Sequence, residues 1–447
     1  MLIFYFLVML MPLEQHPLWG KFVAGGTVIK WVGLVCVIYA IFNIATRGTP
    51  HRYFSTAQSR IFLVYLLLVS ASYWTMGSTF SLHFSVFLIY VSMALLFFVV
   101  LGILGSLERL RWTLLTAIGS IGLTSLYVFR EWMKHPMWRP GSISGDANYF
   151  TLNAALVLPL ALLWMFRSKV LWERFFALGC VVITILSTTL GASRGGLLAL
   201  LASFLWLIWH SPRRTRNLIA ISILFVPPLL LLPSSPLQRA LHPKYSDLAG
   251  KKDRLIAWKA GLRMIKAHPV TGIGLGQFKP EMLEYADPGV RFSSIGHNTY
   301  LEIAAEAGLP TLAVFLSLVF FTYRGFGKAR RRSESGPPLV HLAALGLQAG
   351  FVGYVVGAFF LSAEYQKMFW LWIFLSMCMA YFSSMPSPES GVASRYTSVT
   401  GKIPRGWSRQ QNRPGWRAPL PAPSPQNAEL VGVKGYKGVS RDRKPGS

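Results

Sequence analysis

The chain has 447 residues, of which 53% are hydrophobic and only 14% charged, with a mean hydropathy of +0.44. That balance excludes an ordinary soluble domain. The net charge of +27 would suit nucleic acid, but the basic residues fall mainly in short loops and the C-terminal tail. In an apolar chain that pattern first reports topology.

A helix needs about 20 apolar residues to cross a bilayer. Apolar runs occur at 2–12, 22–45, 60–76, 82–104, 111–129, 149–166, 172–191, 195–210, 217–233, 299–321, 339–362 and 367–384. They predict an all-α integral membrane protein of about twelve transmembrane helices, with a long, partly helical periplasmic loop. The first run is short enough to be interfacial or re-entrant. It has no positive flank and no small-residue cleavage site, so it does not read as a signal peptide.

Alternate short loops carry the positive charge: Arg47, Arg52 and Arg60; Arg109 and Arg111; Arg167, Lys169 and Arg174; Arg213, Arg214 and Arg216; Arg324, Lys328, Arg330, Arg331 and Arg332. The opposite loops hold only Lys21, Arg130, Lys134, Arg139, Arg194 and Lys367. The positive-inside rule then places both termini in the cytoplasm. Cys36, Cys180 and Cys378 lie inside apolar runs and suggest neither disulfides nor a metal site.

Two segments interrupt the pattern of a membrane domain over 1–384. One is the loop 234–298, expected on the periplasmic face and too long for a simple connection. The other is the tail 385–447, rich in Pro, Ser, Gly and Arg, which reads as a disordered, basic cytoplasmic segment. It suits anionic lipid heads better than nucleic acid.

Within the loop, 251–268 has helical periodicity. Leu255, Trp258, Leu262 and Ile265 form an apolar stripe beside a basic face of Lys252, Lys259, Arg263 and Lys266. A membrane-interface helix and a docked helix with a solvated basic face explain this equally well. The following Thr271-Gly272-Ile273-Gly274-Leu275-Gly276 lacks the strand–turn–helix context of a nucleotide fingerprint. It reads as a tight turn with exposed backbone that can approach a ligand.

Charges beside spans are functional candidates. Arg194, between two spans, suits a phosphate through paired hydrogen bonds, or headgroups if it merely snorkels. His297, where the loop meets a span, can take a proton from a hydroxyl, although a lone interfacial histidine is more often structural. Glu302 and Glu306 follow one turn apart and need partners, with the outer arginines as candidates. Glu302 is expected to pair structurally. Asp146 and Asn148 are expected to cap the next span. Arginines plus one histidine fit transfer from a membrane-bound pyrophosphate to a hydroxyl.

The stretch GHNTYLEIAAEAGLPTLAVFL (296–316) resembles the signature of the O-antigen ligase and polymerase superfamily. SRGGLLALL (193–201), DRLIAWKAGLRMIKAHPVTGIGLGQF (253–278) and GDANYFTLNAALVLPLAL (145–162) match in order, giving a core over about 145–320. The resemblance implies a glycosyltransferase that uses neither metal nor another cofactor. Its donor would be a glycan on undecaprenyl diphosphate, and its acceptor the hydroxyl of a lipid A core sugar, of another repeat unit or of a protein side chain. It implies His297 as the base, with Arg194 and Arg254 on the pyrophosphate. Lys259, Arg263, Asn298, Tyr300 and Glu306 complete the expected substrate-binding set. Direct displacement predicts inversion at the anomeric carbon. Thr311 stands where many ligases carry a second glycine after Gly308, which keeps an O-antigen or exopolysaccharide polymerase close behind. A polyprenyl-glycan transporter or flippase is the alternative of another class.

Overall fold

The computed structural model describes residues 1–14, 22–23, 26–47, 55–75, 80–135, 140, 146–211, 214–231, 241, 245–334 and 336–385. The described residues up to Met385 belong to one compact unit, Met1–Ser387. The expected disordered tail, from 386 on, lies outside the described residues, as does most of 232–244.

This unit is helical. Its elements are α1 (Leu2–Leu10), α2 (Val28–Arg47), α3 (Ala57–Thr75), α4 (Phe80–Ile103), α5 (Leu107–Lys134), α6 (Ala147–Arg167) and α7 (Leu171–Leu190). Then follow α8 (Arg194–Trp209), α9 (Arg214–Leu231), α10 (Tyr245–Ala267), α11 (Phe278–Tyr285), α12 (Thr299–Arg332), α13 (Pro338–Gly357) and α14 (Lys367–Phe382). Among the described residues the one β element is a short antiparallel ladder, Phe22–Val23 with Gly26–Thr27.

Each of the twelve apolar runs has a described helix over most of its length. Among the described residues, however, seven helices are long and apolar enough to cross a membrane: α2, α4, α5, α6, α7, α12 and α13. The apolar helices at Leu2–Leu13, Arg194–Trp209 and Lys367–Phe382 are shorter. Helices α3 and α9 open on polar residues such as Gln58, Arg60, Arg214 and Arg216, which dilutes their apolar character.

Helix α13 packs against both α6 and α8. Small residues let the backbones meet: a Cβ at Gly350 would lie 1.8 Å from the carbonyl oxygen of Leu156. Close approach through small residues is the usual basis of helix association in lipid. Polar side chains start several helices. Ser106 caps α5, Asp146 caps α6, Ser193 caps α8 and Asn298 caps α12, each accepting from backbone amides of the first turn.

Helix α12 is broken. Gly308 has φ +84° and ψ +166°, and Pro310 follows it. A left-handed φ suits glycine alone, and proline removes a backbone donor. The short half, 299–307, therefore ends with carbonyls in need of donors. The glycine turn supplies them: Ile273 N donates to Ala305 O at 2.9 Å, and Gly274 N to Glu306 O at 3.0 Å. In return, Leu309 N donates to Pro269 O at 2.8 Å. The turn is thus not exposed backbone. Gly272, Ile273, Gly274 and Leu275 are buried, because a broken helix needs their amides.

The stripe expected on α10 is corrected as well. Leu255 and Leu262 are 59% and 61% exposed. The buried face consists of Ala257, Ala260, Gly261 and Met264, which pack with Ile273, Phe278, Met282 and Ala305. Small residues allow the turn and α11 to approach α10 closely, so the leucines are displaced to its outer side.

Candidate active site

His297 sits two residues before α12, in the left-handed region at φ +49°. That conformation is uncommon for a residue with a side chain, and such strain gathers at functional sites. Three neighbours impose it. Trp258 of α10 donates its indole N–H to Gly296 O at 2.8 Å. Gly296 N donates to Glu302 Oε1 at 2.5 Å. Asn298 Oδ1 accepts from Tyr300 N and Leu301 N at 3.0 and 3.1 Å. The histidine is therefore held from both sides of the chain.

The imidazole Nδ1 is buried and meets no hydrogen-bond partner among the described residues. Buried polar atoms are rarely left so, and the exceptions cluster where a ligand or chemistry completes them. Burial holds the imidazole below its usual range, and the Arg254 guanidinium pushes the same way, while Asp146 opposes them. The result is a ring kept neutral near neutral pH, the form that can accept a proton.

Arg254 lies one helical turn before Trp258. The Trp258–Gly296 bond thus brings the arginine within electrostatic reach of His297. Arg194 begins α8, immediately after the left-handed Ala192 and the cap Ser193. Ser193 Oγ donates to Asn148 Oδ1 at 2.8 Å. Asn148 in turn donates to both oxygens of Asp146, at 2.9 Å from its amide and 3.0 Å from its side chain. Asp146 is the same carboxylate that acts on His297. His297, Arg254, Asp146 and the start of α8 therefore share one end of the bundle.

The remaining expected residues are committed within the fold. Tyr300 donates its hydroxyl to Val355 O at 2.6 Å. Lys259 is 3.8 Å from Asp287. Arg263 ion-pairs with the same carboxylate and donates to Tyr285 O at 2.9 Å. The Arg263 bond holds the Asp287 carboxyl below its usual range. Glu306 is satisfied chiefly by backbone: Oε2 accepts from Gly276 N at 2.9 Å and Oε1 from Phe278 N at 3.0 Å.

Residues 358–366 were invisible to sequence reasoning. This loop underlies the site. Thr299 N donates to Ala358 O and to Leu361 O, both at 3.0 Å, and Ala363 N donates to Thr299 Oγ1 at 2.8 Å. Ser362 Oγ donates to Glu302 Oε1 at 2.6 Å. Glu364 is 2% exposed, and burial followed by the neighbouring Glu302 pushes its carboxyl well up. A carboxylate in the short connection between two apolar runs is the signal that marks Glu364.

These features describe a multi-pass helical membrane protein in which His297, Arg254 and the start of α8 lie at one end of the bundle. Residues 179–316 match the family model described as O-antigen ligase. The match includes Arg194, Arg254 and His297. No curated protein matches the chain.

Proposed function

We propose that this protein transfers a glycan from undecaprenyl diphosphate to an acceptor hydroxyl, a lipid A core sugar being the first choice. The carrying observation is His297, a neutral imidazole on left-handed backbone, its Nδ1 without a partner among the described residues and Arg254 within electrostatic reach, inside the segment that matches the O-antigen ligase family model.

In the proposed step His297 removes the acceptor's hydroxyl proton. The acceptor oxygen bonds to the anomeric carbon from the face opposite the leaving group. The bond from that carbon to the diphosphate oxygen breaks, and configuration inverts. Polyprenyl diphosphate leaves with the electron pair, and Arg194 and Arg254 stabilise the charge that develops. Glu302, Glu306, Asn298 and Tyr300 set the frame of the site, while Lys259 and Arg263 hold Asp287 until donor binds. The charge asymmetry of the loops supports about twelve crossings of the inner membrane, cytoplasmic termini and a periplasmic site.

Polymerisation is the second reading. Thr311 replaces a glycine there, and its hydroxyl donates across the helix break to Ala307 O at 2.6 Å. Deleting the gene and analysing surface glycans separates the readings. Unmodified lipid A core with polymer retained on its carrier is expected. Core bearing a single repeat, or loss of an exopolysaccharide alone, would replace the ligase by a polymerase.

A further inference from the structure

Two cavities adjoin at the end of the helices away from His297. The larger, about 910 Å³, is bounded by the last turns of α6 and α8, the start of α9 and the first turns of α13. The smaller, about 610 Å³, lies against the α6–α7 connection. Both are lined by Leu163, Arg167, His341 and Leu345. Helix α6 runs from the cap Asp146, at the site, to Arg167. At about 1.5 Å per residue that is roughly 30 Å, the thickness of a bilayer core.

The described lining of the larger cavity contains no Asp or Glu. It holds Arg167, Arg216, His210, His341 and Ser211, with Leu, Ile and Phe side chains making the walls. The two imidazoles are fixed. His210 Nδ1 bonds Trp206 O at 2.9 Å, with the ring stacked on Trp206 at 3.9 Å between centroids. His341 Nδ1 bonds Arg330 O at 3.1 Å. In the smaller cavity Glu173 is already held by Arg111 at 2.5 Å, Trp164 at 3.0 Å and Ser168 at 2.6 Å, and Glu334 also lines it.

We infer that the larger cavity binds an anionic phospholipid. Its phosphate meets Arg167 and Arg216, and the upper part of an acyl chain lies on Leu207 and Ile221. Basic pockets between helices at a membrane surface have the chemistry for such headgroups. The bound lipid joins the far ends of α6, α8 and α13. The near ends of those helices carry Asp146, Arg194 and the carbonyl that holds Tyr300.

Native mass spectrometry of the full chain in detergent tests this, with phosphatidylglycerol, phosphatidylcholine or inorganic phosphate added. Phosphatidylglycerol is expected to be retained in preference to phosphatidylcholine. Arg216→Gln, at an exposed position near the start of α9, should lower that retention roughly fivefold and leave phosphatidylcholine unchanged. Ile221→Trp, which fills the apolar part and keeps both arginines, should also lower it. Equal retention of the two lipids, or unchanged retention in both variants, would overturn the proposal. So would inorganic phosphate bound as firmly as phosphatidylglycerol, which would make this a site for free anions.

Discussion

The indole N–H of Trp258 donates to the carbonyl oxygen of Gly296 at 2.8 Å, joining the helix that carries Arg254 to the turn that carries His297. Removing that donor should separate the two functional groups. Trp258→Phe keeps an aromatic ring, though a smaller one, and removes the donor to Gly296 O, at a cost of about 1 kcal/mol or more in stability. The rate of transfer should fall about tenfold or more, because small misplacements of reacting groups are costly. Thermal unfolding and a transfer assay read the two effects separately. An unchanged rate would show that the bond does not align the site.

Glu302 acts from the other side of the same turn, through Gly296 N and Ser362 Oγ. Glu302→Ala leaves a buried amide without an acceptor, a loss of about 1–3 kcal/mol, and should release His297 from its left-handed conformation. Glu302→Gln retains an acceptor oxygen and is expected to recover most of the activity. Equal loss in both variants would mean that the negative charge matters, rather than the hydrogen bond.

Gly308 is the least replaceable glycine of the site. A Cβ there would lie 2.0 Å from Val270 O, at a φ that disfavours any side chain. Gly308→Ala should sharply reduce the yield of folded protein. Gly179→Ala, where a Cβ meets nothing within 4 Å, should be close to neutral. Size-exclusion profiles of the two variants make the comparison.

That break also shows where sequence reading stops. The apolar runs locate the helices, because spanning a bilayer demands apolar length. The break inside α12 is hidden, since a glycine in a helical period is usually tolerated. The glycine turn looked exposed for the same reason: its partners, Ala305 and Glu306, become acceptors only once the helix is broken. Leu255 and Leu262 misled because periodicity marks an apolar face without saying whether protein covers it. His297 and Arg194 stood out by their position at span ends, and Arg254 through the family resemblance alone. The contacts of Trp258, Ser362 and Glu364 join residues far apart in sequence, and no spacing rule reveals them.

The pH dependence follows from the neighbours of His297. Burial and Arg254 both disfavour the imidazolium, so the neutral base persists to lower pH than for an ordinary histidine. The acid limb of activity should therefore lie below the usual histidine range. In Arg254→Ala the imidazolium survives to higher pH, and the limb should move up. In Asp146→Asn it should move down, because Asp146 favours the charged ring. Relative rates against pH for the three proteins provide the check, independently of any drop in maximal rate.

The central claim is that His297 takes the acceptor's proton while Arg194 and Arg254 hold the diphosphate. The most direct measurement uses purified protein, an undecaprenyl-diphosphate glycan and a hydroxyl acceptor, without added nucleotide, and follows transfer and donor binding together. His297→Ala should bind donor normally and transfer nothing. Arg194→Ala and Arg254→Ala should each slow transfer by about a hundredfold or more and weaken donor binding. Transfer that continues in His297→Ala would contradict the account.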